Sequence, residues 1–234
     1  MQQLLQDLFT FTGLGAGRVY LSDDADGHTL IDASIAPSGP NILQQIVASG
    51  RDPARIKRIL ITHAHFDHIG GLPALYAASG ATVICSAIER PVVEGQQPNQ
   101  LPDPASLRPL ARMMQTPQSL MPATPVGYTV ADGELIAEPL GGLVALLTPG
   151  HAPGHLAFWQ PQRRILFCGD VIFRIPQLRL PFAAFTVDMA ANRRAITRLA
   201  ALEPAMVCFG HGVPLCHNTA ARLYAFTKRV GLPG

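Results

Sequence analysis

Residues 59–71 read Ile-Leu-Ile-Thr-His-Ala-His-Phe-Asp-His-Ile-Gly-Gly, and no other stretch restricts the fold of this chain as severely. A run of β-branched and aliphatic residues predicts a buried strand, which delivers three imidazoles and a carboxylate to one point just past its end. His63 and His65 are two apart, so in extended backbone both rings leave on one face. Asp67 and His68 follow where the chain turns into a helix. With 8 histidines in 234 residues, H-x-H-x-D-H arises by chance only about 4 × 10⁻⁴ times in such a chain. The cluster therefore reads as a metal-binding patch with donors enough for two adjacent ions.

The rest of the composition is ordinary. A chain of 234 residues, 48% apolar and 15% charged, can bury a substantial core without staples. The formal charge of +2 comes with scattered Lys and Arg, so no block argues for nucleic acid or an anionic membrane. The expected partner is a small-molecule substrate, and a homo-oligomer is compatible with this composition. The first residues lack the basic region and apolar run of a secretory signal, and no apolar stretch approaches the roughly 18 residues that span a bilayer. A cytoplasmic address is expected. Cys85, Cys168, Cys208 and Cys216 show no C-x-x-C spacing and read as reduced core residues, Cys168 lying two residues from a candidate ligand.

Taken in order, 9–12, 18–21 and 29–31 predict a meander of short strands separated by Gly and Asp clusters. Asp32, ending the third, is expected either to support a metal site from behind or to cap a turn. Helical spacing covers 41–49, and Gly50 stops it. The strand ending at His63 is followed by a helix over 70–79, with Pro73 in its first turn, and by a strand over 81–85. Strand patterning resumes at 126–130, 134–138 and 143–148, the first two joined by the hairpin signal Ala131-Asp132-Gly133. Strands at 156–159, 165–168 and 205–209 and helices at 188–202 and 218–229 complete the chain. Each polar candidate after the first cluster sits just past a strand: His151 in Thr-Pro-Gly-His, His155 shortly after, Asp170 in Gly-Asp, His211 in Gly-His.

Between 94 and 125 the composition shifts. Seven prolines, among them Pro98, Pro109 and Pro117, share this segment with Met113, Met114 and Met121. A short helix carrying Leu107, Leu110 and Met114 is expected to be interrupted by Pro109. So long a Pro- and Met-rich insertion reads as a flap over a substrate with an apolar portion. Phe173, Arg174 and Arg179, with Met113 and Met114 of the flap, are the expected substrate contacts. The two arginines read either as a grip on a substrate carboxylate or as solvated surface residues.

Nitrogen and carboxylate ligands without thiolate suit zinc, manganese or iron in a reactive rather than a purely structural site. His63-x-His65-x-Asp67-His68, then Thr-Pro-Gly-His151, Gly-Asp170 and Gly-His211, in this order and over nearly the whole chain, resembles the metallo-β-lactamase superfamily. The resemblance implies an α/β (α+β) fold, a four-layer αββα sandwich of two mixed β-sheets flanked by helices, with 1–234 as one domain. It implies that His63, His65 and His151 hold one divalent ion, Asp67, His68 and His211 a second, and that Asp170 bridges them. The metals implied are two zinc ions, with manganese or iron as alternatives. His155 is expected to be structural or to support a ligand, and His28 and His217 to be surface or core residues.

A water shared by two divalent ions loses its proton near neutral pH and attacks a carbonyl that one metal polarises. The expected activity is therefore hydrolysis of an ester, lactone, thioester or amide, with Asp67 as ligand and proton relay. Departures from the superfamily's branches narrow this. Dizinc β-lactamases generally lack the bridging aspartate that Asp170 supplies here, and they are exported. Glyoxalase-II-type thioesterases share the ligand set but grip glutathione through a helical C-terminal extension, whereas this chain ends soon after His211. N-acyl homoserine lactonases carry a tyrosine three residues past the bridging aspartate, where this chain has Phe173. Diiron flavoproteins have a glutamate where His65 stands. Two other readings remain open: a mononuclear-iron persulfide dioxygenase-like oxidoreductase and a non-catalytic metal-binding protein.

Overall fold

The computed structural model describes residues 1–115 and 118–231. Two sheets lie face to face. The first has seven strands in chain order: β1 (Gln2–Leu5), β2 (Leu8–Thr10), β3 (Tyr20–Asp24), β4 (Gly27–Ile31), β5 (Ile56–Leu60), β6 (Thr82–Cys85) and β7 (Tyr128–Thr129). Strands β1 to β4 are antiparallel neighbours, and β4 to β7 run parallel. The second contains β8 (Leu135–Ile136), β9 (Leu143–Leu147), β10 (Leu156–Gln160) and β11 (Ile165–Gly169). A small hairpin, β12 (Phe173–Arg174) with β13 (Leu178–Arg179), stands apart, and β14 (Met206–Phe209) pairs parallel with β11. The second sheet is ordered β14-β11-β10-β9-β8.

Strand alternation builds the layers. In β5, Leu60 points between the sheets and Ile59 points outward; in β11, Phe167 points between them and Leu166 outward. The inner core joins Leu8, Tyr20, Leu60 and Ile84 of the first sheet to Leu143, Phe158, Phe167 and Cys208 of the second. Outside the first sheet, Ile42 and Ile46 of α1 (Ser38–Ala48) pack with Leu72 and Leu75. Outside the second sheet, Ile196 and Leu199 pack with Leu223 and Phe226. The chain is thus a four-layer αββα sandwich. Both faces of each central strand are buried, which is why these strands read as continuous apolar runs rather than alternating ones.

Several elements differ from their expected form. The helix expected over 70–79 is two: α2 (Phe66–Ile69), which carries Asp67 and His68, and α3 (Leu72–Ser79). Between them, a Cβ on Gly70 or Gly71 would collide with backbone of the β4–α1 connection. Ala131-Asp132-Gly133 does not close a hairpin. It carries the chain from β7 in one sheet to β8 in the other, so that Val130 and Ile136 both enter the inner core. Strand β1, an exposed edge with no apolar alternation, was not expected at all. All four cysteines are free, three buried and Cys216 exposed, the last contrary to a core reading because it follows β14 in a surface turn.

The segment 94–125 follows the single-turn helix α4 (Arg90–Val93) and holds a 3₁₀ turn at Pro104–Ser106 and α5 (Pro109–Met113). Pro109 starts this helix instead of interrupting it, since the first helical position needs no N–H. Thr116 and Pro117 lie outside the described residues. The later elements are α6 (Met189–Ala200), capped by the Asp188 carboxylate, and α7 (Thr219–Val230). Among the described residues no helix is long and apolar enough to cross a membrane.

Candidate metal centre

Strands β5, β9, β11 and β14 all end toward one edge of the sandwich, and their next residues meet there. Beyond β5 the chain stays extended to His65, whose φ of −77° and ψ of 154° start α2. His63 and His65 therefore point the same way, ring centroids 4.6 Å apart, while α2 swings Asp67 and His68 toward the second sheet. β9 leads to His151, β11 to Asp170 and β14 to His211. Three overlapping groups result, each with ligand atoms within 4.8 Å: His63, His65 and His151; His63, His68 and Asp170; Asp67, His68 and His211.

The distances fit a pair of ions. His65 Nδ1 faces His151 Nε2 at 3.0 Å, a separation suited to two imidazoles on one metal at about 2.0–2.1 Å each. Asp170 lies between the groups: Oδ2 is 3.9 Å from His63 Nε2, 3.4 Å from His151 Nε2 and 3.3 Å from His211 Nε2, while Oδ1 is 3.4 Å from His68 Nε2. His211 Nε2 is also 3.1 Å from Asp67 Oδ2. The Nε2 atoms of His63 and His68 and Asp170 Oδ1 are buried without a hydrogen-bond partner. Buried polar atoms are rarely left so, and a cation among them supplies what they lack.

Three of the candidate ligand rings, His63, His68 and His151, are held from behind. His68 Nδ1 donates to Asp32 Oδ2 at 2.8 Å, and Asp32 Oδ1 accepts from the Thr62 N–H at 2.8 Å. Asp32 thus supports a ligand and pins the strand end at once. His63 Nδ1 pairs with Thr62 Oγ1 at 3.1 Å and His151 Nδ1 with Thr186 Oγ1 at 3.2 Å. His155 supports Asp170: its Nε2 accepts the Asp170 N–H at 3.0 Å, which leaves its Nδ1 proton for Thr148 Oγ1 at 2.8 Å. His28, beside Asp23, and the exposed His217 lie away from the cluster. Gly210 is obligatory, because a Cβ there would run into the Asp170 carboxylate and the His68 ring.

The electrostatics divide the histidines. Burial, with the crowding of neighbouring imidazoles, holds His63 and His151 well below the ordinary imidazole value, and burial lowers His65 to about 4 and His155 to about 3. These rings are neutral, the form that binds metal. Burial also opposes charge on His68 and His211, but Asp170, Asp32 and Asp67 outweigh it at His68, and Asp170 and Asp67 raise His211 to about 9. Burial raises Asp67 and Asp170, yet His68 and His211 more than offset it and hold both carboxyls low. Without metal, the neighbouring carboxylates thus favour the imidazolium form of His68 and His211.

A cavity of about 280 Å³ opens against the cluster. Its floor includes His65, Asp67, His151, Asp170 and His211, and its walls Phe66, Phe173, Phe182, Phe185, Leu101 and Met121, with Asn99, Gln118 and Ser119 as polar neighbours. Phe173, one of the expected substrate contacts, lines the cavity, its ring 4.6 Å from that of His211. The other expected substrate contacts are not in the cavity. Arg174 is spent on the carbonyls of Val213 and Pro214, and Arg179 stacks outward on Phe182 at 4.8 Å. Met113 and Met114 are 83% and 41% exposed, because α5 carries them on the outer surface while the returning chain brings Met121 inward. Cys168 is buried, its thiol pushed up by burial and not part of the cluster. Glu89, Thr62 and Thr186 were not singled out from sequence, since nothing in their local pattern distinguishes them from ordinary turn and cap residues.

The family model of the metallo-beta-lactamase superfamily matches residues 12–211. The chain is 28% identical over 216 residues to a probable metallo-hydrolase, YflN, of Bacillus subtilis, covering 84% of this chain and 80% of that protein. It is 30% identical over 193 residues to a hydroxyacylglutathione hydrolase of Fuscovulum blasticum, covering 82% of this chain but only 60% of that enzyme. Among solved structures, a metallo-beta-lactamase family protein of Thermus thermophilus superposes with a TM-score of 0.71 at 22% identity over 97% of this chain and 80% of that one. The subclass B3 metallo-beta-lactamase BJP-1 of Bradyrhizobium japonicum does so with a TM-score of 0.71 at 21% identity, over 97% and 89%. Fold, strand-end histidines and sequence match agree, and the chain belongs to the metallo-beta-lactamase superfamily.

Proposed function

We propose that this chain is a dinuclear metal-dependent hydrolase that cleaves an ester, lactone or thioester bond of a small, partly apolar substrate. The observation that carries this reading is the convergence of seven ligand-type side chains, five of them on the floor of a cavity with phenylalanine walls. In this reading His63, His65 and His151 hold the first ion, Asp67, His68 and His211 the second, and Asp170 contacts both. Two zinc ions suit this donor set, with manganese or iron as alternatives. Such ions, when bound, supply an activated water and a Lewis acid for a carbonyl oxygen.

The protein's own part is to hold and exclude. Phe173, Phe182 and Phe185 bury the apolar portion of the substrate and shed water from it. Asn99, Gln118 and Ser119 offer neutral hydrogen bonds at the other wall, so orientation comes from amides and a hydroxyl rather than from a cationic grip. Asp67 Oδ2, hydrogen-bonded to His211 and exposed to the cavity, is placed to pass a proton to the leaving oxygen or sulfur. Segment 94–125 supplies five of the cavity's lining residues, Gln115 anchoring it to the Ala184 carbonyl, and serves as the cover of the site.

Kinship with hydroxyacylglutathione hydrolases supports the thioester within this set. An intact second group of ligands, Asp67, His68 and His211, favours two ions over the single iron of a persulfide dioxygenase, and an open cavity against the ligands favours catalysis over storage. The test is a panel of p-nitrophenyl esters, lactones and acyl thioesters, glutathione thioesters included, presented to protein whose metal content has been measured. Selective cleavage of one class by the two-metal form is expected. Inactivity of the fully loaded protein on every class would refute the reading.

A further inference from the structure

Glu89 is 4% exposed, lies beyond β6 and carries none of the chemistry described so far. Its carboxylate joins two separate loops. Oε2 accepts the N–H of Ala64 at 3.0 Å, and Oε1 accepts the N–H of Gly154 at 2.8 Å. Ala64 sits between His63 and His65, and Gly154 lies three residues past His151. One side chain therefore bridges both stretches of backbone that carry the first ion's histidines. Glu89 is itself anchored, its own N–H meeting the Ser86 carbonyl at 3.2 Å and Ser86 Oγ at 3.3 Å.

Two further observations make this more than a core hydrogen bond. A carboxylate buried this deeply is costly unless its oxygens are hydrogen-bonded, and here both accept backbone N–H groups. Only a carboxylate offers two acceptors to two converging N–H donors; an amide offers one acceptor and one donor. In addition, His65 alone among the fully buried inward rings has no protein partner behind it, since its Nε2 is buried and unpaired. With Glu89, Asn99 and Gln100 it lines a second cavity of about 50 Å³, so its ring depends on the backbone that Glu89 holds.

We propose that Glu89 is a positioning residue for the first ion: it fixes the 63–65 and 151–154 loops at one spacing, and with them His63, His65 and His151. This rests on the ligand assignment proposed above. The second ion's ligands are fixed independently, His68 by Asp32 and the His211 loop by Arg18, whose N–H meets the Gly210 carbonyl at 2.8 Å and whose Nε meets the Gly212 carbonyl at 2.6 Å. Loss of Glu89 should thus weaken one ion and spare the other.

The test uses cobalt(II) titration of Glu89→Gln in two backgrounds. In His211→Asn, which retains the complete first set, E89Q should weaken cobalt binding about 10- to 100-fold, the usual cost of removing an outer partner of a ligand. In His151→Asn, which retains the complete second set, it should change nothing. Equal losses in both backgrounds, or none in the first, would overturn the proposal. Hydrogen exchange of the unmutated metal-free protein needs no variant: the Ala64 and Gly154 amides should be protected, and exchange at the rate of open loops would also overturn it. Failure of the unmutated protein to bind cobalt at all would instead overturn the ligand assignment.

Discussion

Asp32→Asn tests the direct support behind His68, the second ion's candidate ligand; Asp32 reaches His63 only indirectly, through the Thr62 hydroxyl. Asp32 has a φ of 62°, a left-handed backbone that asparagine adopts at least as readily as aspartate, so the substitution adds little strain of its own. It removes one of two buried acceptors. Asp32 now serves His68 Nδ1 at 2.8 Å, the Thr62 N–H at 2.8 Å and the Thr62 hydroxyl at 2.8 Å, and asparagine cannot serve both sides. Leaving a buried N–H unpaired costs about 1–3 kcal/mol. At roughly 2–4 °C per kcal/mol for a chain of this size, the metal-free protein should melt about 2–12 °C lower. If the amide instead turns its NH₂ toward His68, the ring must change tautomer and present Nε2–H to the metal. Affinity for the second ion should then fall about 10- to 100-fold while the first is retained. Calorimetric titration of metal-free D32N with zinc, beside thermal melts with and without metal, reads both quantities. A variant that binds both ions as tightly as the parent, or loses both together, would refute the division of labour argued here.

Metal uptake should be pH-dependent. His211 in the empty site titrates at about 9 and His68 is also held protonated, so below that value the second ion must displace their protons, and its affinity should fall as pH falls; titrations in buffers of different ionisation enthalpy count the protons released. The same shift is a stability statement of opposite sense for the metal-free protein. Because the folded pKa of His211 lies above its unfolded value, its contribution is complete below the ordinary imidazole range and lost as pH rises through about 9, which melts across alkaline pH would follow. Gly210→Ala should abolish loading of both ions with little loss of secondary structure, since the added methyl strikes Asp170 and His68; metal analysis beside circular dichroism decides it. Phe182→Ala should lower kcat/KM for the longest apolar acyl substrates by about tenfold and leave the shortest nearly unaffected, as measured across an acyl-length series.

The candidate ligands are legible in the sequence because they obey a local rule. Each follows a strand whose apolar run is visible in the sequence, and parallel strands feed their ends to one edge of a sheet. Asp32 was legible for the same reason, at the end of β4. Glu89, Thr62 and Thr186 were not, because they act on backbone amides or ring nitrogens brought near only by tertiary packing, and no spacing encodes that. The substrate side failed differently. Composition correctly marked 94–125 as unusual, but whether Met113 or Met121 turns inward depends on where α5 begins, and that is decided by Pro109 at its first position. Arg174 misled because a cation near a ligand suggests a substrate, whereas here the carbonyls after His211 had prior claim on it.

Charge balance links the two outer carboxylates to the proposed metal pair. Two divalent ions bring four positive charges into a site whose rings are buried. Asp67 and Asp170 contribute two negative charges from within, and five neutral imidazoles contribute none. Uncompensated charge in such surroundings is expensive, so further carboxylates are needed close by but out of contact with the metals. Asp32 and Glu89 are buried at 2% and 4% exposure and would supply that compensation, Asp32 behind His68 and Glu89 behind the His63–His65 backbone. In the metal-free protein Asp170 and Asp67, with Asp32 at His68, favour protonation of His68 and His211, so protons there supply part of the positive charge that metal would bring. Removal of either outer carboxylate should therefore favour a singly loaded protein, D32N keeping the first ion and E89Q the second. That reciprocal pattern is one that general destabilisation of the fold cannot produce.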